Sequence, residues 1–435
     1  MSIPVASRTQ TQSSSECTAK EETNDGNGTC RPSNNLKPPD GGWRAWSVVG
    51  GAWCASFCSF GWINSIGEFQ RYYQADLLHE YSPSQISWIP SLQVFFMMGM
   101  GPLVGILYDR FGPRYLLLGG TILHVFGLLM LSISKTYAQI LLSQGVCSAI
   151  GVSAILQPSL NVIPGWFDRR RGTAFGILAT GSSVGGVIFS LVVNRLSARL
   201  GFGWAIRVCA LLILFLMAIS SLTIKAMQLR NPRPFSIKRF YAPLTEIRFL
   251  HLFIGLFLFT FGFYIPMNYI AAEATFGGAP AHWATYLVPI LNATSLCGRI
   301  GSGLVSDKIG KYNVFIIVCY LTSIFSLGLW TATKTAGTRI AFTTLFGLFS
   351  GAYVTLLPAL VHQISPAPEI GLRLGLVYLG CSVGGLTTNP IAGILLESKI
   401  GWLGAKIFAG LMCFFGTSFV LAARWSQSKR LAAAI

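Results

Sequence analysis

Carboxylates are scarce in this chain. Aspartate and glutamate number 15 against 32 lysines and arginines, and there are only five histidines. General acid–base or metal chemistry needs such groups gathered at short spacing, but His79, His124, His251, His282 and His362 lie far apart. Cysteine does not fill the gap. Cys17 and Cys30 stand in a polar leading stretch, the other eight lie in apolar runs, and none has metal-type spacing. They read as small packing residues rather than ligands or disulfides. The chain is therefore expected to be no enzyme and to hold no metal or cofactor. Large polar segments are lacking too, so there is no room for the folded soluble domain of a receptor.

Apolar residues are abundant: 52% of the chain is hydrophobic and 11% charged. Lipid is the solvent such a composition suits. Runs of about 20 apolar residues, the length a membrane helix needs, fall at 43–65, 85–107, 114–133, 137–164, 172–195, 204–225, 250–272, 283–305, 313–332, 339–361, 371–396 and 404–423. The fold class read from them is an all-α integral membrane protein with twelve transmembrane helices in two six-helix pseudo-repeats. Residues 43–225 form one bundle and 250–423 the other, with 226–249 as a cytosolic linker and 424–435 as a cytosolic tail. Residues 1–42 read as a disordered cytosolic tail. No apolar run precedes Trp43, so the first span is expected to serve as its own insertion signal.

A net charge of +17 suggests nucleic acid, but its distribution does not. Cations crowd alternate connections, around Arg110 and Arg114, Arg169 to Arg171, and Lys308 and Lys311. That asymmetry sets orientation and puts both termini in the cytosol. The sequons at Asn27 and Asn292 then fall in the cytosol and inside a span, and neither should be glycosylated.

The chain repeats itself at an offset of about 199 residues. Gly172-TAF-Gly176 and Gly181-SSV-Gly185 recur as Gly371-LRL-Gly375 and Gly380-CSV-Gly384. Gly151…Pro158 recurs as Gly351…Pro358, and Gly105-ILY-Asp109-Arg110-F-Gly112 as Gly303-LVS-Asp307-Lys308-I-Gly310. An internally repeated membrane protein points to a transport path between its halves. In the last motif the glycines permit close helix approach and a tight turn. The aspartates can meet a helix N-terminus or a neighbouring arginine. A capped helix end followed by solvated charges is the plainer reading. Duplication at a short hairpin favours a gating latch of Asp109, Arg110, Arg114, Asp307 and Lys308.

This loop pattern resembles the signature of the major facilitator superfamily over the whole twelve-span chain. Two further stretches resemble the monocarboxylate transporter family, in its fungal branch. These are Pro38-Pro39-Asp40-Gly41-Gly42-Trp43-Arg44-Ala45-Trp46 before span 1, and Trp166-Phe167-Asp168-Arg169-Arg170-Arg171-Gly172 running on to Thr180-Gly181-Ser182 at span 5.

Arg299, in span 8, reads as the one clearly intramembrane Lys or Arg. Such a charge costs several kcal/mol unless water or a partner compensates it. The resemblance implies that it binds a substrate carboxylate. The residues alone also allow it to snorkel or to be tied to backbone carbonyls. Transporters of simple monocarboxylates in that family carry an aspartate one turn earlier and a lysine in span 1. Here those positions hold Ser295 and Asn64, and Glu68, Glu273 and Glu397 fall near outer span ends. In span 7, Pro266 is expected to break the helix, with Tyr264 and Asn268 four apart on one face. The candidate substrate-binding set is therefore Arg299, Asn64, Tyr264, Asn268 and Asn292 in an aromatic cavity.

The expected function is secondary-active transport by alternating access, exporting an organic anion or a specialised metabolite. The alternative is proton-linked uptake of lactate- or pyruvate-like acids. The expected partners are a small organic, anionic substrate and the bilayer, with no nucleic acid. The coupling ion is left open, the proton being the candidate. The resemblance implies a plasma-membrane location, with the vacuolar membrane as the alternative.

Overall fold

In lipid the backbone must satisfy its own polar groups, and a long apolar segment does so as a helix. The computed structural model describes residues 38–227, 237–284 and 286–427. Ten of its helices are long and apolar enough to cross a membrane. In chain order they are span 2 (Gln85–Phe111), span 3 (Pro113–Leu131), span 4 (Tyr137–Trp166), span 5 (Arg171–Leu200), span 6 (Phe202–Thr223), span 7 (Ile247–Phe276), span 9 (Lys311–Trp330), span 10 (Ala336–Gln363), span 11 (Ile370–Glu397) and span 12 (Gly401–Trp425). Two more rods pack among them and complete the twelve. Span 1 runs as Trp43–Cys58, Phe60–Asn64 and Ile66–Tyr72, and span 8 as Leu287–Ile309. No strand occurs among the described residues.

Local chemistry sets the helix ends. Ser82 with Gln85 and Thr136 with Gln139 form capping boxes that satisfy orphan first-turn donors. Gly112 and its repeat counterpart Gly310 take φ of 75° and 101°, where a side chain would clash. They turn span 2 into span 3 and span 8 into span 9 within one residue.

Burial follows the repeat. The apolar stretches of spans 3, 6, 9 and 12 are only 39–44% buried, against 78% for span 11. Every third span is thus peripheral, with residues such as Ile122, Leu211, Ile317 and Phe415 exposed for lipid. The other eight surround the middle of the molecule. The ends of the described chain, Pro38 and Gln427, share one side of the bundle, here called the terminal face, with the turns at Gly112 and Gly310.

Four readings from sequence change. Pro38–Gly42 do not belong to a disordered tail: the Asp40 amide donates to the Trp166 carbonyl at 3.1 Å. The stretch 226–249 is not all linker, since a short helix covers Ile237–Thr245 and span 7 begins at Ile247. Span 12 extends to Trp425, past the expected end at 423. Pro266 does not break span 7, which stays one helix from Ile247 to Phe276, because its neighbours hold the helix through the missing donor. The parts of the tail and linker readings at 1–37, 228–236 and 428–435 lie outside the described residues.

Candidate functional site

The repeated motifs meet each other across the molecule. Asp109, at the end of span 2, accepts hydrogen bonds from the Gly371 and Leu372 amides, both at 3.1 Å. Asp307, at the end of span 8, accepts from the Gly172 and Thr173 amides at 2.7 Å each, and from the Thr173 hydroxyl at 2.6 Å. Each carboxylate thus caps the exposed first-turn amides of a helix in the opposite half, where the helix dipole favours negative charge. The glycines allow this approach. A methyl group on Gly371 would strike the Gly105 carbonyl, and one on Gly303 would lie 2.5 Å from the Gly172 carbonyl. Arg110, Arg114 and Lys308 are exposed beside these contacts.

Two further links lie at this face. His362 Nε2 donates to Asn161 Oδ1 at 3.0 Å, joining spans 10 and 4, and its ring stacks on Phe175 in span 5. Asp40 Oδ1 accepts from the Asp168 and Arg169 amides at 2.5 and 2.8 Å, while Trp46 meets Phe167 at 5.0 Å. The two stretches that resemble the monocarboxylate transporter family are therefore in contact. We expect Asp109→Asn to lower turnover about tenfold at unchanged membrane abundance, because one charged acceptor is lost. Transport by the variant at the wild-type rate would remove the latch role.

Beyond these crossings, two small adjoining hollows lie between the halves and share Phe60, Val354 and Tyr378. The larger is lined also by Tyr264, Tyr353 and Thr260, and neither has a charged lining residue. Tyr353 and Thr260 hydroxyls lie 3.0 Å apart. The Tyr264 hydroxyl points to Met98 Sδ across the interface at 4.0 Å. Such walls suit a flat, largely apolar molecule with a few hydrogen-bonding groups.

The expected site residues separate. Tyr264 lines the larger hollow. Asn268 instead donates to Asn389 Oδ1 at 2.9 Å. Asn292 is buried with its Oδ1 unpartnered. Asn64 and Arg299 converge on one residue: Asn64 Nδ2 donates to the Ser182 carbonyl at 3.2 Å, and Arg299 Nη1 donates to the Ser182 hydroxyl. Arg299 Nη1 also donates to the Ala179 carbonyl at 2.7 Å. Sequence reasoning missed Tyr353 and Tyr378 as cavity walls. The signal was in the repeat, where the matching first-half positions are the small Ser153 and Ala179.

Arg299 is not the only cation inside the helices. Lys406 Nζ lies 2.7 Å from Glu273 Oε1, and Arg339 Nε lies 3.6 Å from Glu273 Oε2. All three are at least 94% buried, on spans 12, 7 and 10. The sequence reading placed Glu273 near an outer span end. It could not show that Lys406 and Arg339 share the Glu273 carboxylate as their counter-charge.

A family model described as Major Facilitator Superfamily matches residues 48–343. The MFS transporter asaE of Aspergillus flavus is 53% identical, over 89% of this chain and 88% of that protein. The Fujikurins efflux protein of Gibberella fujikuroi is 49% identical, over 90% and 85%. Among solved structures, the human organic anion transporter MFSD10 (TETRAN) aligns with a TM-score of 0.69 over 89% of this chain and all of that one. At 13% identity this likeness shows the fold alone.

Proposed function

We propose, for a chain that belongs to the major facilitator superfamily, export of a specialised metabolite with an acidic group by alternating access. The observation that carries this reading is the pairing of an uncharged aromatic hollow between the halves with reciprocal latches at one face. A latch of capped helix ends can open and shut as a unit, and the hollow lies where both openings would reach it. Similarity to a protein named for efflux of fujikurins supports a product of that kind.

The terminal face is the cytosolic one in this proposal, in keeping with the cation-rich turns, and residues 43–225 rock against 250–423 in the plasma membrane. The structure then corresponds to the state closed to the cytosol. Arg299 takes the acidic group, and Tyr264, Tyr353 and Tyr378 hold the body. Small-monocarboxylate uptake with protons is the weaker reading. Ser295 and Asn64 stand where that mechanism would use a carboxylate and a lysine, the hollow has no carboxylate, and Glu273 is bound to two cations.

Deleting the gene in the producing organism should move at least one acidic metabolite from medium to cells, with the medium level falling several-fold and returning on complementation. Unchanged metabolites, together with reduced gradient-driven uptake of labelled lactate or pyruvate, would replace export with the uptake reading.

A further inference from the structure

Arg299 belongs to span 8, yet both acceptors of its Nη1, the Ala179 carbonyl and the Ser182 hydroxyl, belong to span 5 in the other half. Asn64 of span 1 holds the same turn through the Ser182 carbonyl. The side chain is 3% exposed and its Nε has no partner. Among the described residues no carboxylate pairs with it. A buried guanidinium with neutral oxygens as its acceptors is poorly compensated, and a carboxylate would bind it more strongly. Here none can reach it, because the arginine is sealed against the opposite half. The repeat offers no second copy. Gly101 stands where Arg299 would be, and Tyr378 and Cys381 replace Ala179 and Ser182.

We infer that Arg299 exchanges partners during transport: the substrate's anionic group when the halves part at the terminal face, and Ala179 and Ser182 when they close. This rests on the proposed reading of Arg299 as the anion contact. Closing then moves the guanidinium from the anion to span 5, so the protein loses its grip on the anion as the terminal face shuts. The site loads from the terminal face and empties on the other side. Ser182 is a positioning residue that competes with the substrate for Arg299.

The test uses the full chain in lipid nanodiscs without substrate, with Cys17, Cys30 and Cys297 replaced by serine. Spin labels are placed at Tyr115→Cys and Ile309→Cys, both exposed beside the terminal-face turns. Pulsed EPR reads the ratio of long to short distances between them. Ser182→Ala and Arg299→Gln should each raise that ratio about tenfold, as expected for loss of a charge-assisted hydrogen bond. The double variant should raise it no further than either single one. Ser182→Thr, which keeps the hydroxyl, should stay at the wild-type ratio. In efflux assays Ser182→Ala should lower both KM and Vmax, since the anion is held more firmly and released more slowly. No change in the distances, or additive changes, would overturn the clasp. Coupled changes alongside normal export by Arg299→Gln would overturn the exchange and the anion reading, leaving a purely structural tie.

Discussion

Replacing Arg299 by alanine is expected to cut export of an acidic substrate to about a tenth of wild type or less, with the protein still present in the membrane. The size follows from losing a charge-assisted hydrogen bond to the substrate, about 1.5–3 kcal/mol. Abundance should hold because the lost contacts are a carbonyl and a hydroxyl, and no buried counter-charge is stranded. Glu273 is the contrast, since removing its charge would leave Lys406 and Arg339 buried together. Arg299→Lys should recover only part of the rate, as an ammonium cannot engage a carboxylate in two parallel bonds. Export is measured as metabolite released per transporter at matched surface level. A normal rate in the alanine variant would make Arg299 structural.

A second large effect is expected at Gly371. Its amide binds Asp109, and a side chain there would meet the Gly105 carbonyl, which is main chain and cannot swing aside. Gly371→Val should therefore hold the terminal face open and bring transport close to background. Overpacking of this kind costs about 1–3 kcal/mol, enough to shift the balance between the two states by about fivefold to 150-fold. Gly172→Val should do the same at the other crossing, where Gly303 and Ser306 lie against it. The labelled pair at positions 115 and 309 would show the long distance in both variants. A short distance in Gly371→Val would mean that the glycine contact is not what permits closure.

The architecture was readable because lipid enforces simple rules. Apolar length located the spans to within a few residues, and the repeat pointed to the two aspartates that cap helices of the opposite half. Span 8 was read as an apolar run like the others, and its Gly303-to-Gly310 motif copies one in span 2. Side-chain direction was not readable. Asn268 and Tyr264 share a helix face by spacing, but Asn268 is bound to Asn389 within its own half. Ser182 enters the sequence reading only as part of the span 5 stretch, and it is a meeting point for Asn64 and Arg299 where three helices come together. Buried pairing was equally hidden. Nothing in the spacing of Glu273, Arg339 and Lys406 says that spans 7, 10 and 12 bring them together.

The crossed capping has a consequence for how the chain is made. Asp109 and the Leu372 amide that donates to it are 263 residues apart, and Thr173 precedes Asp307 by 134. At about 5–20 residues per second of synthesis, the Asp109 carboxylate waits on the order of 10–50 s for its helix. A chain stopped after six spans would carry a bare aspartate and a bare helix start, each complementary to something not yet made. The crossings are thus completed late, one when span 8 arrives and the other when span 11 does.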